Sequence, residues 1–415
     1  MQKKNNSNIQ APCKKKSTQA ATRMTIKEAR QNAYRQLSEA WEKQKKTAGP
    51  YAQKPDFFLD IDVILQELLQ VERSFLLAHN ETKLKQKDIK RFFALIQKRS
   101  RGLPIAYIVG KKEFYGLSFF VSPHVLIPKP DTEILVEKAL ELAREKSRET
   151  GNREVQAESR ETGNREVQAE SRETRSREVQ AESHETGNRE VQAESRETRS
   201  REVQAESHET GNREVQAESH ETGNREVQAE SRCLRVLDLC TGSGCIALSF
   251  AQEFCKTKEN SPPLELFMSD ISLAALRLAK KNTKQLFPAS RKKQKNSDKL
   301  QIKIVRSNLF RNIKGSFDFI LTNPPYVPTR LTDELLLDGR SEPRLALDGG
   351  KDGLRLIRQI AKDAKNYLKK DGWILIEAGE YHAKEVAQIL RERGFSEVAI
   401  LQDLSGQERV IFGQH

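Results

Sequence analysis

Residues 236–247 read VLDLCTGSGCIA and place an apolar run directly before two closely spaced glycines. The run Val236–Leu239 predicts a buried strand, and the residues after Gly244 predict the start of a helix. Glycines permit a positive φ and a close approach of the backbone to a ligand, and a helix start offers free N–H groups. The G-x-G spacing lacks the third glycine of a dinucleotide fingerprint and the Lys-Ser/Thr pair of a phosphate loop. A ligand-binding turn of another kind is therefore predicted, with a purely structural strand–turn–helix as the alternative.

Short apolar runs and helical stretches alternate along the chain from residue 131 onward. Strands are predicted at Arg235–Leu239, Leu264–Ser269, Ile302–Val305, Phe317–Thr322 and Trp373–Glu377. Helices are predicted at Glu133–Arg144, 246–254, 272–286 and 353–370, and an antiparallel hairpin at Val398–Leu401 and Arg409–Gly413. This alternation predicts an α/β fold with an open, mostly parallel sheet covered by helices on both faces. A ligand is then expected at the carboxyl ends of the strands.

The part of the chain before residue 131 has a different pattern. Residues Thr25–Glu28 fit a capping box that opens a helix. Apolar residues at helical spacing follow, so residues 24–100 predict a small helical domain. Residues 101–130 contain an aromatic-rich run interrupted by Gly116 and predict a β-hairpin linker. Residues 1–23 form a basic tail, expected to be disordered, and Met24 is a second candidate translation start.

Residues 147–230 are tandem copies of a 12-residue unit that begins SRETGNREVQAE. Each unit carries one Val and one Ala as its hydrophobic residues, too few to offset the entropy cost of folding. The repeats predict a disordered, low-complexity insert that interrupts an α/β domain spanning residues 131–415. Deleting the insert is expected to leave the activity of that domain largely intact.

The charge and cysteine content limit the classes of partner and cofactor. The chain has 415 residues and a net charge of +13. Because the repeats are net acidic, the remaining chain is more basic still, which favours nucleic-acid or ribosomal surroundings. The five cysteines lack paired C-x-x-C spacing, so neither a disulfide framework nor a metal site is expected. With no apolar run long enough for a membrane span, we expect a cytoplasmic protein, monomeric and without stably bound nucleic acid.

The D-x-x-T-G-x-G form of the glycine turn is similar to motif I of class I S-adenosylmethionine-dependent methyltransferases.

Two further candidate ligand-binding elements follow the next two predicted strands. Asp270 ends the next predicted strand, where a carboxylate can accept hydrogen bonds from two ribose hydroxyls. Its alternative role is the N-cap of the following helix. Asn308 and Leu309 follow a third strand, where Asn can accept from an exocyclic amine and Leu can cover an adenine ring; a simple turn is the alternative.

The tetrad Asn323-Pro324-Pro325-Tyr326 follows the predicted strand Phe317–Thr322. Two prolines remove backbone donors and leave carbonyl acceptors. Asn323 adds an amide oxygen, and Tyr326 adds a flat ring and a hydroxyl. Together they suit a planar NH₂ group, because acceptors placed on its hydrogens stabilise positive charge as it forms on the nitrogen. We therefore predict Asn323, Pro324 and Tyr326 as catalytic residues, with Pro325 completing the substrate site.

The motifs taken together closely resemble the peptide chain release factor N5-glutamine methyltransferases. The resemblance rests on the glycine turn, the tetrad and three further runs. These runs are PIAYIVG (104–110) with EFYGL (113–117), VLIPKPDTE (125–133) and EPRLALDGGKDGL (342–354). It covers residues 24–146 and 232–415, and the repeats are foreign to it.

This resemblance implies a five-helix N-terminal domain, a hairpin linker and a Rossmann-like methyltransferase domain. It implies methyl transfer from S-adenosylmethionine to the glutamine of the Gly-Gly-Gln loop of bacterial class I release factors. The tetrad would hold that glutamine. The residues implied to contact the cofactor are Cys240, Thr241, Gly242, Ser243, Gly244, Asp270, Asn308, Leu309 and Asn323.

Three residues depart from the pattern of that family. Lys129 replaces an Arg and keeps the charge without the bidentate geometry. Asn308 replaces an Asp beside the expected adenine. Cys240 stands where Gly is frequent, which is tolerable if its φ is negative.

Three other functions stay open on the residues alone. A similar tetrad marks DNA N6-adenine methyltransferases, which flip the base out of the duplex; no region for target recognition is evident. A ribosomal-protein glutamine methyltransferase is closer, although Pro130–Glu133 fits the release-factor branch better. A non-catalytic RNA- or ribosome-binding protein is favoured by the basic charge alone.

Overall fold

The computed structural model describes residues 24–45, 54–148, 233–256, 262–288, 299–337 and 341–415. The predictions for the basic tail (1–23) and for nearly all of the repeat insert lie outside these ranges and stay predictions. The described chain forms two compact units. The helical unit extends to Lys111 and includes Val121–Pro123 and Arg330–Arg344, and the sheet unit comprises the remaining residues.

The sheet unit is built on seven strands in the order β5-β4-β3-β6-β7-β9-β8. They are β3 (Leu234–Leu239), β4 (Leu264–Asp270), β5 (Leu300–Arg306), β6 (Phe317–Thr322), β7 (Leu368–Glu377), β8 (Ser396–Gln402) and β9 (Glu408–Gln414). The first five pair in parallel, and β9 runs antiparallel to both β7 and β8. The predicted mostly parallel sheet with a C-terminal antiparallel hairpin is confirmed.

Helices cover this sheet on both faces, because successive residues of each central strand point to opposite sides. On one face, Val236 and Phe319 pack with a helix at 133–148 (α6), with α7 (Cys245–Phe254) and with α8 (Leu273–Leu286). On the other face, Leu237 and Ile320 pack with α10 (Arg355–Asp363) and α11 (Ala383–Glu392). The central strands are rich in apolar residues because both of their faces are buried, and β6 is buried at every position.

The helical unit contains α1 (Ile26–Gln44), α2 (Phe57–Leu69), α3 (Arg73–Ala78), α4 (Gln86–Ser100) and α5 (Ile105–Val109). The predicted capping box opens α1, with the Glu28 N–H donating to Thr25 Oγ1 and the Thr25 N–H donating to Glu28 Oε2. A buried core that includes Ile26, Ile61 and Phe92 joins α1, α2 and α4. The helical N-terminal region expected from the sequence is therefore present, and α5 lies within the range expected to be linker.

A two-stranded hairpin follows α5, with β1 at Lys111–Phe114 and β2 at Leu117–Phe120. The two residues between the strands, Tyr115 and Gly116, have φ values of 53° and 67°. A two-residue turn with positive φ at both positions matches the twist of the flanking strands. The hairpin predicted around Gly116 is confirmed.

The structure differs from the sequence-based prediction in two places. The helix predicted at 353–370 is shorter, because α10 ends at Asp363 and a 3₁₀ turn leads into β7 at Leu368. α9 (Thr329–Leu337) was not predicted. Within the described ranges, no helix combines the length and the apolar character that a membrane crossing requires.

Candidate active site at the carboxyl ends of the strands

Strands β3 and β6 are neighbours at the centre of the sheet, although β4 and β5 separate them in sequence. The chain builds outward from β3 on one side and then returns to build the other side from β6. Ligands bind at such a switch point in open α/β sheets. Leu239 and Thr322 pair at the last positions of the two strands, and the Thr322 hydroxyl donates to the Leu239 carbonyl oxygen (2.7 Å). The glycine turn and the tetrad therefore leave the sheet side by side.

Asp238, the fifth residue of β3, holds the glycine turn in place through hydrogen bonds to its buried side. Asp238 Oδ2 accepts hydrogen bonds from Thr241 Oγ1 (2.5 Å) and from the Ala247 N–H at the start of α7 (3.3 Å). Burial raises the pKa of Asp238 to about 7, against these two hydrogen bonds, which lower it. The carboxylate thus supplies a buried acceptor to a helix start that has no side-chain cap of its own.

The backbone of Cys240 differs from what its sequence position was expected to require. A negative φ was the condition for Cys in place of Gly, but its φ is +62°. That condition is not met, and the left-handed conformation costs a non-glycine residue about 1–2 kcal/mol. Burial raises the pKa of the Cys240 thiol far above its usual range, so the thiol is neutral and inert. Cys240 thus contributes backbone shape to the turn.

The two glycines of the turn serve different purposes. A Cβ on Gly244 would lie 3.1 Å from Met268 Sδ and 3.2 Å from Leu248 Cδ1. Glycine there lets α7 approach the sheet. Around Gly242 a Cβ would meet nothing within 4 Å, so the turn is open above its backbone.

Asp270 ends β4 and reaches back to the glycine turn. Its Oδ2 accepts from the Gly242 N–H (3.0 Å) and its Oδ1 from the Ser272 N–H (2.8 Å). Burial raises its pKa, and these backbone hydrogen bonds oppose the shift. The N-cap of α8 is Ser272, whose side chain accepts from the Ala275 N–H, so the alternative role of Asp270 as the N-cap is wrong.

Asn308 and Leu309 follow β5 at the same edge of the sheet. Leu309 is buried with a φ of +46°, and its carbonyl oxygen accepts from the Ser307 hydroxyl. The Asn308 side chain is exposed. The pair therefore combines an apolar wall with an exposed amide, and its contact with adenine stays a prediction.

The tetrad turns directly out of β6. Pro324 and Pro325 are buried, and Asn323 and Tyr326 are partly buried. Asn323 Nδ2 donates to Thr132 Oγ1 (3.4 Å), and the Tyr326 hydroxyl donates to Glu377 Oε1 (3.2 Å). Burial and the Glu377 charge raise the pKa of Tyr326 well above its usual range, so its hydroxyl keeps its proton.

The segment Leu347–Gly353 supports the tetrad from behind. The Val327 N–H donates to the Leu347 carbonyl oxygen (2.9 Å), and the Gly349 N–H donates to the Val327 carbonyl oxygen (2.8 Å). A Cβ on Gly353 would lie 2.3 Å from the Tyr326 carbonyl oxygen, closer than any side chain can come. Part of the motif at 342–354 is thus explained by backbone packing against the tetrad.

The turn between β3 and α7 fits a cofactor that carries amine and hydroxyl groups. Asp238 Oδ1 and Ser269 Oγ are buried and have no hydrogen-bond partner within the described residues. The backbone above Gly242 is open, and the Asp270 carboxylate lies beside it. A polar ligand in this position would lie against the open turn and could hydrogen-bond to the Asp270 carboxylate.

Known protein families match segments in both the helical and the sheet part of the chain. Residues 52–110 match the family model described as PrmC N-terminal domain, and residues 226–338 match the methyltransferase small domain. A release factor glutamine methyltransferase from Borreliella burgdorferi is 30% identical over 358 residues, covering 85% of this chain and 87% of the relative. This chain belongs to the release factor glutamine methyltransferase family.

Two further members of that family align over similar lengths. The release factor glutamine methyltransferase of Haemophilus influenzae is 29% identical and covers 86% of this chain and 90% of its own length. That of Clostridium acetobutylicum is 28% identical and covers 94% and 98%.

Several residues that shape the site of this glutamine methyltransferase were not predicted from the sequence. Asn282 on α8 is buried; its Oδ1 accepts from the Phe120 N–H, and its Nδ2 donates to the carbonyl oxygens of Phe120 and Ser243. It thereby links the hairpin to the glycine turn. Thr132 and Glu377 were also missed, and a buried Glu at the end of an apolar strand was the signal that could have revealed the second.

Proposed function

We propose that this chain transfers the methyl group of S-adenosylmethionine to the side-chain amide nitrogen (N5) of the glutamine in the Gly-Gly-Gln motif of bacterial class I release factors. The observation that carries the proposal is the position of the tetrad 323–326 beside the glycine turn 240–244, at paired strand ends. A methyl donor on the turn and a planar NH₂ group on the tetrad would then be neighbours. Family membership supports the glutamine as the acceptor.

Residues at the ends of β3, β4 and β5 would hold the cofactor. The turn Cys240–Gly244 would follow its amino-acid part, Asp270 its ribose, and Asn308 with Leu309 its adenine. When bound, S-adenosylmethionine supplies a methyl group on a positively charged sulfur. Asn323, at the boundary between the turn and the tetrad, would contact both ligands.

The tetrad would act on the glutamine by hydrogen bonding and by shape. Asn323 Oδ1 and the Pro324 carbonyl oxygen would accept the two hydrogens of the NH₂ group, which orients its nitrogen and stabilises positive charge forming there. The Tyr326 ring would pack against the flat amide. A strong base would be unnecessary, because the nitrogen would become acidic only as the new N–C bond forms and the methyl–sulfur bond breaks. Its proton would then pass to water, and the demethylated cofactor would leave. Holding the amide nitrogen, the methyl group and the sulfur in line would supply much of the remaining rate enhancement.

Methyl transfer to purified substrates tests this function. With labelled S-adenosylmethionine, we expect label to enter a class I release factor and to be lost when the Gly-Gly-Gln glutamine is replaced by alanine. Double-stranded DNA and ribosomal proteins serve as competing substrates. Transfer to DNA or to a ribosomal protein, with none to the release factor, would contradict the proposal. We further propose that the enzyme works as a cytoplasmic monomer without bound nucleic acid.

Removal of the Asp270 carboxylate is expected to weaken cofactor binding. Asp270→Ala deletes the expected ribose acceptor and releases the Gly242 N–H from its hydrogen bond. Hydrogen bonds to charged groups contribute about 1.5–3 kcal/mol each, so we expect the dissociation constant to rise at least about tenfold by calorimetry. The control is Glu265→Ala at the opposite end of β4, where the carboxylate pairs with Arg235 and Lys303. Equal affinity in Asp270→Ala and wild type would refute the assignment.

A further inference from the structure

Glu377 is a buried carboxylate that the proposed chemistry does not use. It is the last residue of β7, with 1% of its surface exposed. Its Oε1 accepts the Tyr326 hydroxyl, while its Oε2 is buried and has no partner of full hydrogen-bond geometry within the described residues. A buried carboxylate is expensive unless it is hydrogen-bonded, so its retention beside the tetrad needs a reason.

Thr132 lies between this carboxylate and the tetrad. It is 2% exposed and ends the 3₁₀ turn Pro130–Thr132. Its Oγ1 accepts from Asn323 Nδ2 (3.4 Å), and its hydroxyl lies close enough to Glu377 to lower the pKa of that carboxyl. Thr132 thus bonds to Asn323 and lies beside Glu377, which in turn accepts from Tyr326; these four residues form the polar connection.

The direction of each hydrogen bond in this connection follows from the groups involved. An ionised carboxylate can only accept, and a hydroxyl has one hydrogen to donate. With Glu377 ionised, the neighbouring Thr132 hydroxyl can only point its hydrogen toward the carboxylate, and its oxygen then accepts from Asn323. The NH₂ end of the Asn323 amide must then face Thr132, which leaves Oδ1 to face a substrate N–H.

We propose that Glu377 is a positioning residue that acts through Thr132 to fix the orientation of the Asn323 amide and directly to hold the Tyr326 ring. This inference rests on the proposed function, because the acceptor end of Asn323 matters only if the substrate presents an NH₂ group. The connection also explains the Thr in the run PKPDTE (128–133). Thr132 precedes the repeat insert, and its partner Asn323 follows β6, 191 residues later in the chain.

The charges around Glu377 give the connection a pH dependence. Burial raises the pKa of Glu377 to about 7, while the nearby Thr132 hydroxyl, the positive charge of Arg409 and the Tyr326 hydroxyl lower it; the Asp131 charge raises it further. Arg409 also pairs with Asp403 (3.2 Å). Protonated Glu377 can donate to Thr132 and reverse its hydrogen bond, so kcat is expected to rise with pH through about 7.

Variants of nearly equal volume separate the effect of the hydrogen-bonding groups from the effect of side-chain size. Glu377→Gln keeps the volume but offers one donating and one accepting end, so one of its two hydrogen bonds is reversed. Thr132→Val removes the hydroxyl, and Thr132→Ser restores it. We expect kcat to fall about tenfold or more in Glu377→Gln and Thr132→Val, with the KM for the cofactor within about threefold of wild type. Thr132→Ser should recover most of kcat, and the rise of kcat with pH near 7 should be absent in Glu377→Gln.

Matched controls remove the same groups elsewhere in the sheet unit. Glu265→Gln lies at the opposite end of β4, and Thr283→Val removes a hydroxyl that bonds within its own helix, to the Ala279 carbonyl oxygen. Both should leave kcat unchanged. Wild-type kcat and pH profile in Glu377→Gln, or equal losses in Thr132→Ser and Thr132→Val, would overturn the inference.

A readout without substrate keeps this inference separate from the proposed function. The side-chain NH₂ resonances of Asn323, assigned by comparison with Asn323→Asp, should shift with pH around 7 in wild type and stay constant in Glu377→Gln. A pH-independent signal in wild type would overturn the connection. If the signal titrates but no release factor is methylated, the connection stands and the proposed function fails.

Discussion

The variant Asn323→Ala is expected to lose about 100- to 1,000-fold in kcat for methyl transfer, the usual effect of removing one preorganised hydrogen-bonding group from an active site. Asn323 leaves β6 beside the glycine turn, and its Nδ2 is held by Thr132. Its Oδ1 is thereby preorganised for an N–H of the substrate. Alanine removes that acceptor and leaves Thr132 without its donor.

Single-turnover rates with a saturating release factor measure this loss directly. The matched control is Asn312→Ala, which removes an amide whose Nδ2 donates to the Arg306 carbonyl oxygen on the exposed surface after β5. That variant should keep kcat within about threefold of wild type, since it lies outside the tetrad and the proposed cofactor residues. If Asn323→Ala and Asn312→Ala had similar rates, the catalytic role of the tetrad would be wrong.

The second large effect is expected from Gly353→Ala. The added Cβ would lie 2.3 Å from the Tyr326 carbonyl oxygen and 2.9 Å from His382 Cε1. The backbone oxygen cannot give way without moving the tetrad, so we expect kcat to fall at least about a hundredfold, as small misplacements in active sites do. Overpacking should also lower the free energy of unfolding by about 1–3 kcal/mol.

Gly406→Ala provides the control that separates crowding from backbone strain. Gly353 and Gly406 have nearly the same φ, +80° and +78°, but a Cβ on Gly406 would meet nothing within 4 Å. Both variants carry the conformational cost of a positive φ, about 1–2 kcal/mol, and Gly353→Ala alone should lose activity. Denaturant unfolding and kcat should be measured for both. Equal activity in the two variants would show that Gly353 does not support the tetrad.

The sheet could be predicted from sequence because local pattern and burial agree in it. The run Phe317–Thr322 is a strand with the same limits in the structure, and the glycine turn appears where its residues placed it. α9 was not predicted because it is short, nine residues, and closely follows the proline-rich tetrad, whose prolines indicate a turn. The helix predicted at 353–370 was too long because the polar residues at 364–371 gave no sign of a 3₁₀ turn and a strand start.

The supporting residues of the site could not be predicted, because their partners are distant in sequence. Thr132 and Asn323 are 191 residues apart, and Tyr326 and Glu377 are 51 apart. No local periodicity reports such pairs. The φ of Cys240 was equally unpredictable, because it depends on how the chain turns between β3 and α7 as these pack in the fold. The sequence therefore indicates which groups are expected to meet the ligands, and the structure adds which groups hold those side chains in place.

The central claim is that the tetrad presents a glutamine amide nitrogen for methylation, and site-resolved mass spectrometry tests it most directly. The purified chain would be incubated with S-adenosylmethionine and an unmethylated class I release factor, and the Gly-Gly-Gln peptide would then be fragmented. We expect one added methyl group on the glutamine side chain, absent when Asn323→Ala replaces the wild-type enzyme. A methyl group on any other residue, or an unmodified glutamine after transfer to another substrate, would contradict it.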